Sequence, residues 1–194
     1  MSKTLSVPAQ TDYSEISSNQ CSWCAMEFAL QAPTFRKLFR ESKEDKADIL
    51  ELYTSCVVRG SELRRDHGTF LYGENIDSAN LLAYYRYDVL QRRTVCKNLD
   101  QDLLKILHPD LRSEFYTRVY DQVSLNEILN TVVPTTSLLV SRHGQSLCVI
   151  PHGTNFIVLD SHLHELRIMT KEDTLKHIAM DHGGHLHLTL LYGT

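Results

Sequence analysis

The chain reads as an α+β domain, with helices in its first two thirds and an antiparallel sheet after them. Two observations carry that reading. Apolar residues recur at helical spacing as far as about Asn130, and after Pro134 short apolar and β-branched runs alternate with turn sequences. The composition, 42% hydrophobic and 23% charged over 194 residues with no internal repeat or low-complexity tract, is that of one ordinary soluble domain. A chain of this length buries roughly 70% of its unfolded surface without help from disulfides or metal. Residues 1–194 are therefore expected to form a single domain.

Residues 1–19 are polar and turn-rich and end in Ser17-Ser18-Asn19, three N-cap residues ahead of an apolar pattern. Cys21, Cys24, Ala25, Phe28 and Ala29 then fall on one stripe of a helix that Pro33 should stop. A second helix is expected from about Lys43, its apolar face made of Ala47, Leu50, Tyr53, Val57 and Val58, with Gly60–Gly73 as its frayed end and a loop. Helical patterns also cover Asn80–Arg92 and Leu125–Asn130, the latter opened by Ser124 and Glu127 as a capping box. Leu103–Leu107 and Phe115–Tyr120 fit neither period clearly. Ser137–Ser141, Gln145–Ile150 and Asn155–Asp160 read as strands of a meander, turned at Arg142-His143-Gly144 and Pro151-His152-Gly153-Thr154. Leu166–Met169 adds a strand, Thr170 caps a helix over Lys171–Met180, and Leu186–Tyr192 is a closing strand.

Charge and cysteine usage exclude several classes. A formal charge of −4 argues against a general nucleic-acid binder. No apolar run approaches the ~20 residues that span a bilayer, and no apolar signal core follows the first residues. Five cysteines, four of them in or beside helical patterns, suggest a reducing compartment and not a disulfide framework.

Three features could carry chemistry. Cys21 falls in the first turn of a helix, where the macrodipole and unpaired N–H groups favour thiolate. Asp160 and His162, two apart at the end of an apolar strand, can share a face so that the carboxylate orients the imidazole. Gln10, in a polar loop, could donate to an oxyanion. Singly, each has a plainer explanation: a buried thiol, a surface pair, a loop amide. Together they stand in the order of donor, nucleophile and sheet-borne base.

With those residues in place, the segments Gln10-Thr11-Asp12, Ser18-Asn19-Gln20-Cys21-Ser22-Trp23-Cys24-Ala25 with Phe28, and Val158-Leu159-Asp160-Ser161-His162 resemble the N-terminal deubiquitinase domain of herpesvirus large tegument proteins. The chain departs from that pattern at Thr11, Cys24 and Leu163-His164. The resemblance implies a papain-like cysteine peptidase fold, its nucleophile helix packed on a C-terminal antiparallel sheet. It implies Cys21 as nucleophile, His162 as general base and acid, Asp160 as its orienter and Gln10 as oxyanion donor. The reaction implied is hydrolysis of isopeptide bonds at the C-terminal Gly-Gly of ubiquitin. Ubiquitin and ubiquitin chains would be the partners, with no cofactor, no metal, no nucleic acid and no membrane. The protein would be a monomer working in the cytoplasm, or in a host cytosol.

Rival readings remain open. Cys21-Ser22-Trp23-Cys24 is a C-x-x-C that suits a redox pair or half of a zinc site, the two further ligands drawn from His182, His185 and His187. A ubiquitin-like modifier could replace ubiquitin, an acyltransferase could use the same cysteine and histidine, and a noncatalytic binding protein could keep the fold. Arg64-Arg65, Arg92-Arg93 and the Tyr84, Tyr85, Tyr87 set read most simply as solvated or packed helix faces.

Overall fold

A computed structural model describes residues 3–9, 20–41, 46–67, 112–119, 122–132, 134, 136–142, 145–179 and 185–192. The elements, in chain order, are β1 (Lys3–Ser6), α1 (Cys21–Leu30), α2 (Ala32–Glu41), α3 (Ala47–His67), β2 (Arg112–Val119), α4 (Gln122–Thr131), β3 (Thr136–Arg142), β4 (Gln145–His152), β5 (Asn155–Leu159), β6 (Glu165–Met169), α5 (Lys171–Ala179) and β7 (His185–Tyr192). The seven strands form one sheet in the order β1-β6-β5-β4-β3-β7-β2, with every neighbouring pair antiparallel. The α+β expectation holds.

Side chains alternate across a strand, so the central strands feed two cores. Leu139, Cys148, Ile150, Ile157, Leu159 and Leu166 pack with α1, α2 and α3, whereas Leu138, Val140, Leu147, Val149, Val158, Leu188 and Leu190 pack with α4 and α5. Burial on both faces explains why β3, β4 and β5 read in sequence as nearly continuous apolar runs. Helix α1 lies innermost: seven of its ten residues are buried, including Trp23, Met26 and Phe28. Phe28 stacks on Tyr53 of α3 at 4.9 Å and meets Phe35 of α2 edge-on at 6.2 Å, tying the three helices together.

Several expectations are corrected. Strand β1 lies in the stretch read as turn-rich; it pairs with β6, Leu5 opposite Leu166, and its mostly exposed residues leave little apolar signal. The first helix does end just short of Pro33, at Leu30, but a second helix, not expected from the sequence, follows at once. The chain breaks at Gln31, and Pro33 sits in the first turn of α2, where a missing N–H costs nothing. Gly60 does not fray α3, which runs on to His67; this glycine instead packs directly against the Cys24 backbone of α1. Phe115–Val119 belongs to β2. Ser124 lies inside α4 and so is not its cap. Pro151 and His152 belong to β4, opposite Phe156 and Asn155, leaving Gly153-Thr154 as a two-residue turn with Gly153 at φ 62°. Thr170 caps α5 as expected, its hydroxyl accepting from the Asp173 N–H at 3.1 Å. The helix expected over Asn80–Arg92 and the segment Leu103–Leu107 lie outside the described residues. Among the described residues, no helix is long and apolar enough to cross a membrane.

Candidate active site

Helix α1 opens abruptly at Cys21. Gln20 takes the N-cap position without a side-chain bond, and its carbonyl accepts the Cys24 N–H at 2.9 Å. The N–H groups of Cys21, Ser22 and Trp23 therefore have no partner within the helix, and the first turn carries no acidic residue to offset them. This favours negative charge at Cys21.

The partner comes from the other end of the chain. Strand β5 ends at Leu159, and the Asp160 carboxylate accepts both the His162 N–H, at 3.0 Å, and His162 Nδ1, at 2.9 Å. The two residues were expected side by side on a strand. They meet instead through a turn that the aspartate itself closes, with the Leu163 N–H bonded to the Asp160 carbonyl. Tyr53 of α3 donates to that same carbonyl at 3.1 Å from within the core, fixing the turn to the helical layer. With Nδ1 committed to Asp160, Nε2 is left for Cys21, to which His162 is hydrogen-bonded.

Electrostatics follow from this arrangement. Burial alone would raise the Cys21 thiol, but the hydrogen bond and charge of His162, with further hydrogen bonds from the backbone and hydroxyl of Ser146, hold it below its ordinary value. Burial alone would lower His162, yet its bonds to Asp160 and Cys21 raise it to about 9. Asp160 is pulled the same two ways: burial lifts it, and the bonds to His162, with the charge of His177, bring it below the usual carboxylate value. The arrangement favours a thiolate beside an imidazolium, with a carboxylate behind it.

Cys24, one turn along α1, is built for the opposite state. It is fully buried beneath α3, its thiol donates to the Val57 carbonyl at 3.7 Å, and burial pushes its ionisation far above the ordinary thiol range. Cys56 and Cys148 are likewise buried and raised, and all four described cysteines are free thiols. Among the described residues no three His, Cys, Asp or Glu side chains converge as a metal site would require. Gln10 and His182 lie outside the described residues.

Sequence reasoning picked out Cys21, Asp160 and His162, and the fold brings these three together. It missed Ser146 and Tyr53. Ser146, the second residue of β4, stands just ahead of the strand's apolar run yet is only 6% exposed, a buried hydroxyl whose purpose shows only when α1 is laid against β4. Tyr53 was assigned to a core face, correctly, but its hydroxyl reaches the Asp160 turn.

The fold is papain-like α+β. Of solved structures, the chain is similar to the ubiquitin-specific protease encoded by a murine cytomegalovirus tegument protein, solved with a ubiquitin-based suicide substrate: 12% identity, TM-score 0.56, 98% of this chain and 85% of that one. It also aligns with the Pseudomonas avirulence protein AvrPphB at 14% identity and TM-score 0.44, over 94% and 99% of the two chains. No family model and no curated sequence matches the chain.

Proposed function

We propose that the protein is a thiol-dependent deubiquitinase of the tegument type, a cysteine peptidase that hydrolyses isopeptide bonds at the C-terminal Gly-Gly of ubiquitin. The observation that carries this reading is the Cys21–His162–Asp160 chain of hydrogen bonds, with the cysteine in the first turn of a buried helix. The viral neighbour, named a ubiquitin-specific protease, supports the choice of substrate.

In this mechanism the Cys21 thiolate attacks the terminal glycine carbonyl of ubiquitin. The resulting oxyanion is held by N–H groups at the start of α1 and by the Gln10 amide. Gln10 follows a segment anchored beside the base, since the Val7 N–H bonds the His164 carbonyl at 3.0 Å. The tetrahedral intermediate collapses as His162 Nε2 gives its proton to the departing lysine amine, leaving a thioester on Cys21. Neutral His162 then takes a proton from water, which attacks the thioester and returns the thiolate. Asp160 keeps the imidazole in one tautomer and supports its charged form without accepting the proton. None of these steps calls for a cofactor. The protein works as a monomer on ubiquitin and ubiquitin chains, in the cytoplasm or another ubiquitin-containing compartment.

The test is to incubate wild type, Cys21→Ala and Cys24→Ala with C-terminal electrophile probes built on ubiquitin and on ubiquitin-like modifiers, then map the adduct by mass spectrometry. A ubiquitin adduct on Cys21, absent only from Cys21→Ala, is expected. Labelling by a ubiquitin-like probe alone would reassign the substrate, and no labelling of folded protein by any probe would overturn the proposal.

A further inference from the structure

On the helical side of the sheet, the apolar column Leu139, Cys148, Ile150, Ile157 and Leu159 ends at the tip of the β3–β4 hairpin. There Ser141 and Ser146 stand opposite each other in register, on the same face as Leu139 and Cys148 by the two-residue period. The first turn of α1 arrives at this polar end. Ser146 Oγ lies 2.9 Å from Ser22 Oγ and 2.7 Å from Ser141 Oγ, and the Ser146 backbone and hydroxyl both bond Cys21.

Counting protons gives the network a direction. Each serine hydroxyl has one proton to donate and can accept two. A thiolate accepts only, so the Ser146 proton goes to Cys21, and the two short contacts to its oxygen are then donated by Ser22 and Ser141. Ser146 is left with all its capacity used. Two accepted bonds polarise its O–H and strengthen the one bond it gives.

We propose that Ser146 is a further catalytic residue of the Cys21 site, a hydroxyl and N–H anchor that sustains the thiolate alongside His162, with Ser22 and Ser141 as positioning residues that aim the hydroxyl. The inference rests on Cys21 being the nucleophile, as proposed above. It assigns a role to the β3–β4 hairpin, whose tip forms one wall of the nucleophile's environment.

The experiment is the pH dependence of Cys21 alkylation by iodoacetamide, followed by mass spectrometry, in wild type, Ser146→Ala and the double variant Ser22→Ala, Ser141→Ala. Removing a hydrogen bond to a charged group moves the inflection up by about one pH unit in Ser146→Ala. The double variant shifts in the same direction by less. A role confined to packing would lower thermal stability and leave the inflection in place. Superimposable profiles for wild type and folded Ser146→Ala overturn the proposal; if Ser146→Ala does not fold, a wild-type profile for the double variant does so. Alkylation needs no ubiquitin, so this outcome is separable from failure of Cys21 to react with the ubiquitin electrophile, which would sink the functional reading instead.

Discussion

Cys21 and Cys24 lie one turn apart on the same buried helix, and the fold makes different chemistry of them. The first faces the polar corner where α1 meets the β3–β4 hairpin and the Asp160 turn: His162 and Ser146 bond its sulfur, and it sits in the first turn of the helix, at the positive end of the macrodipole. The second faces α3, where Gly60 lets the helices close so far that a Cβ there would stand 2.8 Å from the Cys24 backbone nitrogen. Around Cys24 nothing stabilises a charge enough to offset burial. Since both side chains are buried, the difference in how readily they ionise follows from what is donated to the sulfur and not from depth.

That contrast is broken most completely by Cys21→Ala, which should lower hydrolysis of a ubiquitin substrate by about 10⁴-fold or more, as loss of a nucleophile does elsewhere. Cys24→Ala should keep most of the activity and show instead a loss of about 1–2 kcal/mol in a denaturant titration. Equal loss of activity in both would erase the distinction.

Asp160→Ala comes next, with turnover reduced by about 10²–10⁴-fold while the nucleophile and oxyanion donors remain. Its pH profile sharpens the account. In the wild type, activity rises as Cys21 loses its proton, below the ordinary thiol value of 9.0, and falls as His162 loses its own near 9. Without the carboxylate the His162 charge is less supported, so the alkaline limb should move down toward 6.5. The stability linkage has matching signs. The raised His162 contributes stability that is complete below 6.5 and lost as pH climbs through about 9. The lowered Asp160 contributes stability present above 3.8 and lost as pH falls through its folded value.

Gly60→Ala tests the other side of the comparison. The added methyl must push α3 away from the Cys24 backbone, at about 1–3 kcal/mol, read as a lower thermal midpoint. Because Tyr53 of the same helix holds the Asp160 turn, activity should fall as well. Tyr53→Phe, the mildest change, removes only that hydroxyl; a drop in kcat of about five-fold with little change in KM is expected from steady-state kinetics.

What could be read from the sequence divides along the same line. Strands β3 to β5 were legible because two-sided burial and turn residues leave local marks, β7 because its sequence alternates, and α5 because Thr170 announces it. Strand β1 was not, since an edge strand with one partly buried residue, Leu5, has no apolar period to detect. Helix α2 was hidden by reading Pro33 as a stop when it was a start. At the site, Cys21, Asp160 and His162 were legible because a helix start and a two-residue spacing are local patterns. Ser22, Ser146 and Tyr53 were not, for their hydroxyls acquire meaning only across 124 and 107 residues of chain, through Ser22 with Ser146 and Tyr53 with Asp160.

The most direct measurement is a competition among the four described cysteines: brief alkylation of native protein at neutral pH, quantified residue by residue, in wild type and His162→Ala. Cys21 alone should react in the wild type, and its rate should fall in His162→Ala while Cys24, Cys56 and Cys148 stay silent until the chain unfolds. Comparable labelling of Cys24, or a Cys21 rate indifferent to His162, would contradict the account.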